Sequence, residues 1–314
     1  MTLVLVMVVL ALAFPWGAAA VTRRLAGVLR PREACWTLTT AALLMAGGTI
    51  AALIGLFHVP FLASLEDVPL PRVLEVWPAA VPVAGAAGLV MLVQAGLLLR
   101  RWYRHRTVVE RAWQLAAQGT GDGDVVVVPG NDVDAFALPG YRGRGGRVVV
   151  TSGMLRALKP GEREVLLAHE RAHLAGRHHL LSVVVDLSTA VHPALRSLRE
   201  SLGFHLERWA DEEAAAAVGN RKLAAAAIAR AALAGSRERD ASRGYPLLSV
   251  TTGPVPQRVE ALLMPEPAGL RGGTHRARVL GLAATVAGSA LAALAVAYGL
   301  HEYVEYAAIG VRGG

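Results

Sequence analysis

The chain has 314 residues, is 54% hydrophobic but only 5% aromatic, and carries a formal charge of +8. Its single cysteine, Cys35, excludes an internal disulfide and a cysteine-based metal cluster. The basic residues form no run interleaved with aromatics, which argues against direct nucleic-acid binding.

The apolar excess collects in four stretches without Asp, Glu, Lys or Arg: 1–22, 34–65, 76–99 and 279–301. Each is long enough to cross a hydrocarbon core of about 30 Å as a helix, so four transmembrane helices are expected. The first has the "GAAAV" of a signal-peptide cleavage site. However, its charges, Arg23 and Arg24, follow the apolar run and none precedes it, which favours a retained helix with an external N-terminus. Arginines 30 and 32, then 100, 101, 104 and 106, then 271, 276 and 278 flank the helices on one side. Glu66, Asp67 and Glu75 fall on the other, and Glu302 and Glu305 follow helix four. The positive-inside rule makes the Arg-rich side cytoplasmic and both termini external, and the net charge then suits a surface of anionic lipid.

Three parts follow: membrane helices in 1–100, a cytoplasmic domain in 101–275, and a fourth helix with a short external tail in 276–314. Within the middle part, "RTVVERAWQLAAQ" reads as an amphipathic helix. "VVVVPG", "DAFALPG" and "RVVVTSGML" read as three short strands separated by Gly-rich turns. "KPGEREVLLAHERAHLAGRHHLLSVVVDL" then reads as a helix running through Gly176. "ESLGFHLERWADEEAAAAVG", the Ala-rich "RKLAAAAIARAALAGS" and "VPQRVEALL" read as three more. The expected fold is an α-helical membrane protein with an α+β domain inserted between helices three and four.

The chemistry sits at "HERAHLAGRHH", residues 169–179. Two histidines four apart on a helix project from one face and can share a metal ion, and zinc accepts neutral imidazoles while leaving a position for water. Glu170, next to the first histidine, is placed to take a proton from that water and to pass one to a leaving amine. Two third ligands compete. The longer pattern through Gly176 would use His179, but it expects a helix break after the glycine and a methionine turn. Only Met264 lies downstream, and "HHLLSVVVDL" carries no turn signal. "HLERWADEE" offers Glu207, which completes a His₂Glu set of catalytic type. Asp211, one turn on, is placed to bond the far nitrogen of a ligating histidine. Glu207 is the preferred ligand and His205 its competitor, while His178 and His179 read as ordinary polar residues. The backbone of Ala135, Phe136, Ala137 and Leu138 is a candidate edge for holding a peptide as an added strand. Arg258 and Tyr245 are candidates for contacting substrate or stabilising the transition state.

"LLAHERAHLAGRHH", "AVHPALRSLRE" and "LERWADEEA", with the strand pair upstream, resemble the membrane-embedded gluzincins of the BlaR/MecR antirepressor type. They are also similar to the HtpX and CAAX-processing membrane peptidases. The resemblance implies that His169, His173 and Glu207 bind Zn²⁺, that Glu170 is the catalytic base and that Asp211 supports a histidine. It implies a zinc metalloendopeptidase that cleaves a protein substrate at the cytoplasmic face, with a BlaI-type transcriptional repressor or the chain itself as client. An HtpX-like quality-control peptidase and a non-catalytic, zinc-stabilised signalling scaffold are the alternatives. The β-lactam-sensing members carry an extracellular penicillin-binding domain after the fourth helix. Here fourteen residues follow Leu300, so no such sensor is expected.

Overall fold

A computed structural model describes residues 2–65, 69–121, 123–239 and 254–264, with isolated positions at 281, 288 and 299. Apart from those three positions the expected fourth membrane helix lies outside the described residues, as does Tyr245. Two long apolar helices open the chain, α1 (Thr2–Ala26) and α2 (Pro31–Leu65), followed by the short α3 (Leu70–Val76) and by α4 (Ala80–Ala116). Two stretches, Pro31–His58 and Ala80–Ala116, are long and apolar enough to cross a membrane by length and composition. The third apolar stretch and the amphipathic "RTVVERAWQLAAQ" form one unbroken helix in α4, because no Gly, Pro or capping side chain interrupts 100–107. The boundary expected at residue 100 therefore falls inside a helix.

The sheet is small. β1 (Val125–Val128), β2 (Ala135–Leu138) and β3 (Arg147–Thr151) are ordered β1-β3-β2, with β1 parallel and β2 antiparallel to β3. Both β1 and β2 are edges, and β2 is the edge that packs on the motif helix. "RVVVTSGML" is strand only as far as Thr151. The Thr151 hydroxyl then accepts from the Met154 amide, and this cap starts α5 (Ser152–Ala157).

The helix expected to run through Gly176 is broken there. α6 (Pro160–Ala175) ends, Arg177 adopts a left-handed conformation at φ 51°, and α7 (His178–Val191) departs in a new direction. Apolar continuity concealed the break, because α7 is itself apolar and needs no polar turn to announce it. After a 3₁₀ turn (Pro193–Leu195) come α8 (Arg196–Val218), closed by Gly219 at φ 66°, α9 (Arg221–Arg239) and α10 (Val255–Leu263).

One apolar cluster joins the first two helices to the motif region. Ala34, Leu38, Ala41 and Met45 of α2 pack with Leu181 and Val185 of α7 and with Leu198, Leu202 and Leu206 of α8. The small residues let the backbones approach closely, as helix pairs in an apolar setting require. A second cluster fastens Trp113 and Ala116 of α4 to Val126, Phe136 and Val149 of the sheet. A third, rich in alanine, packs α6, α8, α9 and α10 around Val165, Ala214, Ala224 and Leu262. The motif helix α6 is thus held between the sheet and a helical layer that is itself anchored on α2.

Candidate metal centre

α6 presents His169 and His173 from one face, four residues apart, and α8 crosses to present Glu207 between them. The Nε2 atoms of the two histidines are 3.1 Å apart. Glu207 Oε2 lies 3.6 Å from His169 Nε2, and Glu207 Oε1 lies 3.6 Å from His173 Nε2. Tetrahedral ligands at zinc bond lengths stand about 3.3 Å from one another, and these separations are close enough for the three side chains to hold a metal ion. Among the described residues the group comprises these three side chains, and His205 does not join them. His179 does not join them either; its side chain lines a shallow groove with Pro139, Gly146, Leu174 and Leu180.

Two further residues of α8 and α10 lock the group from behind. Asp211 Oδ1 lies 3.0 Å from His169 Nδ1, the ring nitrogen turned away from the ligand cluster. Arg258, expected from the sequence among the substrate contacts, has a fully buried side chain on the far side of the site. Its Nε and Nη2 each donate to Asp211 at 2.7 Å, and its Nη1 lies 3.0 Å from Glu207 Oε2. A guanidinium fork suits this double engagement as no lysine would.

The electrostatics follow from burial with and without partners. Burial disfavours the charged forms of Asp211 and Glu207. Bonds from Arg258 and His169 outweigh it for Asp211, held down at about 2, and the neighbouring His169, His173 and Arg258 do so for Glu207, which is also lowered. Burial lowers His169 too, but the Asp211 and Glu207 carboxylates hold its imidazole up at about 10. A bound dication would take over the charge that this proton supplies. His173, buried with less compensation, is pushed down to about 3 and offers a neutral nitrogen.

Glu170 is nearly inaccessible, and its buried Oε1 has no hydrogen-bond partner among the described residues. Burial pushes its carboxyl up to about 7, with the amide of Ala137 bonding to it in opposition. That amide belongs to β2. The candidate edge strand therefore lies directly beside the candidate base, and all four of its residues, Ala135 to Leu138, are in strand conformation.

His178, expected to be an ordinary polar residue, is buried instead. It is 2% exposed rather than a surface polar group, and its Nδ1 lies 2.8 Å from Nδ1 of His173. The signal was present in Gly176. A Cβ there would stand 2.4 Å from His178 Nε2, so the glycine makes room for the imidazole and is not a mere helix interruption.

Residues 99–240 match the model of peptidase family M48. The matched region runs from the middle of α4 to the end of α9 and holds every residue of the metal group, somewhat under half of the chain. No curated protein and no solved structure gives a significant match. M48 peptidases are zinc-dependent, and the match together with the His/His/Glu group supports a metallopeptidase. Such an enzyme acts on protein or peptide substrates.

Proposed function

We propose that the protein is a zinc-dependent integral-membrane endopeptidase that cleaves a protein at the cytoplasmic face. The observation that carries the reading is the three-ligand group at tetrahedral spacing with the buried Glu170 carboxyl beside it. Three protein ligands leave one position for chemistry, whereas a purely structural zinc site would be closed by a fourth. Bound zinc supplies Lewis acidity toward an attacking water and a peptide carbonyl. Glu170, whose proton affinity is raised toward neutrality by burial, accepts the proton of that water and delivers it to the departing amine. Asp211 fixes the ring of His169, and Arg258 fixes Asp211 and Glu207. β2 offers its outer edge to an extended peptide, which would add as a further strand over the base.

The membrane reading rests on α2 and α4 and on the apolar side chains that α4 leaves exposed, among them Leu89, Leu92 and Val93. The full proposal has three spans within 1–100, the peptidase domain over 101–275, and a fourth span with an external tail in 276–314. We take the client to be a regulatory protein of the BlaI repressor type or the chain itself, which separates the protein from a quality-control peptidase.

The test is cleavage by the detergent-purified chain and its Glu170→Ala variant, offered an unfolded protein and a BlaI-type repressor. Loss of cleavage with stoichiometric zinc retained supports the enzyme. Equal activity of the two forms overturns it, and cleavage of the unfolded protein alone transfers the client to the quality-control class.

A further inference from the structure

The two ligating histidines are held from behind by different kinds of group. His169 has a carboxylate, Asp211, whereas the group behind His173 among the described residues is another imidazole. Resting on the metallopeptidase reading, we propose that His178 is a positioning residue that accepts the Nδ1 proton of His173 and so fixes the tautomer and ring plane of that ligand.

The geometry allows one arrangement of protons. Nε2 of His173 faces the cluster and must be bare to bind a metal, so the proton of a neutral ring resides on Nδ1. The atom within reach of that proton is Nδ1 of His178 at 2.8 Å, which must then be the acceptor. The His178 proton is left on Nε2, a buried atom without a partner among the described residues, on the side that Gly176 leaves open. His178 is no additional ligand, because its Nδ1 engages the side of His173 turned away from the metal group.

The rest of the local structure exists to hold this ring. The left-handed turn at Arg177 folds the chain back so that the first residue of α7 lies against the helix just ended. The Trp209 ring packs on His178 with centroids 4.4 Å apart and planes tilted by 46°, and the Arg32 guanidinium caps Trp209 in turn at 5.6 Å. Arg32 belongs to α2, so an apolar helix of the first hundred residues buttresses the support of a metal ligand.

A neutral acceptor also suits the charge balance. Glu207, Asp211 and Glu170 set three carboxylates against Arg258 and a dication, which sum to zero. A fourth buried carboxylate behind His173 would be uncompensated and costly.

The experiment is zinc titration, with a competing chelator, of the detergent-purified full chain in four forms: wild type, His178→Asn, His178→Leu and His178→Gln. Asn keeps an oxygen acceptor near the place of Nδ1, Gln carries its amide out toward Nε2, and Leu keeps bulk alone. We expect Leu and Gln to weaken zinc by about 10–100-fold, the usual effect of losing a ligand's supporting bond, and Asn to stay within about threefold of wild type. Melting of the metal-free forms checks that each is folded, and if Leu fails to fold the Asn–Gln pair decides. A packing role alone would favour Leu over Asn, and that order, or equal affinities throughout, overturns the proposal. If wild type itself binds no zinc, the metallopeptidase reading falls and the role of His178 falls with it. If wild type binds and only the expected order fails, the enzyme reading stands without it.

Discussion

Arg258 holds Asp211 by two parallel hydrogen bonds of 2.7 Å, although 47 positions separate them in the chain. The pair is buried on both sides, and the same guanidinium reaches Glu207. Removing one partner of such a pair leaves an uncompensated charge, which costs about 3–5 kcal/mol. Arg258→Met is therefore expected to lower the melting temperature of the detergent-purified protein and to weaken its hold on zinc together. An Arg258→Met protein that melts with wild type and binds zinc as tightly would show that the clamp is dispensable.

The choice of third ligand is open to a paired comparison. Glu207→Ala removes one of three atoms at tetrahedral spacing, whereas His179→Ala touches only the wall of a groove. The first is expected to abolish tightly bound zinc and peptide cleavage, and the second to keep both. The reverse pattern, read by metal analysis, would restore the longer motif through Gly176 and displace Glu207.

Gly176→Ala adds a single methyl group, yet its Cβ would meet the His178 ring at 2.4 Å and 2.6 Å. The ring is closely packed, with Trp209 at 4.4 Å between ring centroids and His173 at 4.7 Å, so it has little room to retreat. Overpacking of this kind costs about 1–3 kcal/mol. The expected result is a less stable protein with weakened zinc binding, from a substitution that in an ordinary helix would stabilise. Chelator competition and a thermal melt together distinguish it from a simple helix-propensity effect.

Asp186 ties α7 to α4 and α8. It lies 3.0 Å from His105 Nε2, 3.2 Å from Arg199 Nη1 and 3.6 Å from Arg101 Nη1. The bond from His105, and then the two arginines, hold its carboxyl below the ordinary value against the opposing effect of burial. A carboxyl lowered on folding stabilises fully above its unfolded value, and the contribution is lost as pH falls through the folded one. The contribution of Asp186 should therefore be constant near neutrality and decline below about pH 4. Asp186→Asn should remove about 1.5–3 kcal/mol at neutral pH and flatten that decline. An unchanged acid limb in the variant, followed by thermal melts across pH, would assign the decline to other groups.

The parts of this molecule that were legible in the sequence are those with local periodicity. His169, Glu170 and His173 share one helix, and Glu207 and Asp211 share another at i, i+4, so each group can be read from spacing alone. The strands carried their own punctuation in Pro-Gly and Gly-Gly, and all three form, with β3 shorter because Thr151 caps a helix. What could not be read depends on contacts between distant segments. Arg258 lies on a short helix far along the chain, and nothing in "VPQRVEALL" tells whether its side chain faces solvent, substrate or a buried carboxylate. His178 was hidden for another reason. A left-handed arginine is rare, so Arg177 gave no warning that α6 stops and that the next histidine turns inward.

α4 has a mechanical consequence. Its 37 residues make a rod about 55 Å long at the usual rise per residue. Its apolar half exposes Leu89 and Leu92, and its other end is pinned to the sheet, where Trp113 donates to the Pro139 carbonyl at 3.1 Å. With no hinge between them, a tilt of about 5° at one end sweeps the other through about 5 Å, about the gap between neighbouring strands. Pro139 directly follows the edge strand beside Glu170, so that strand sits at the tip of a lever whose handle lies outside the catalytic layer.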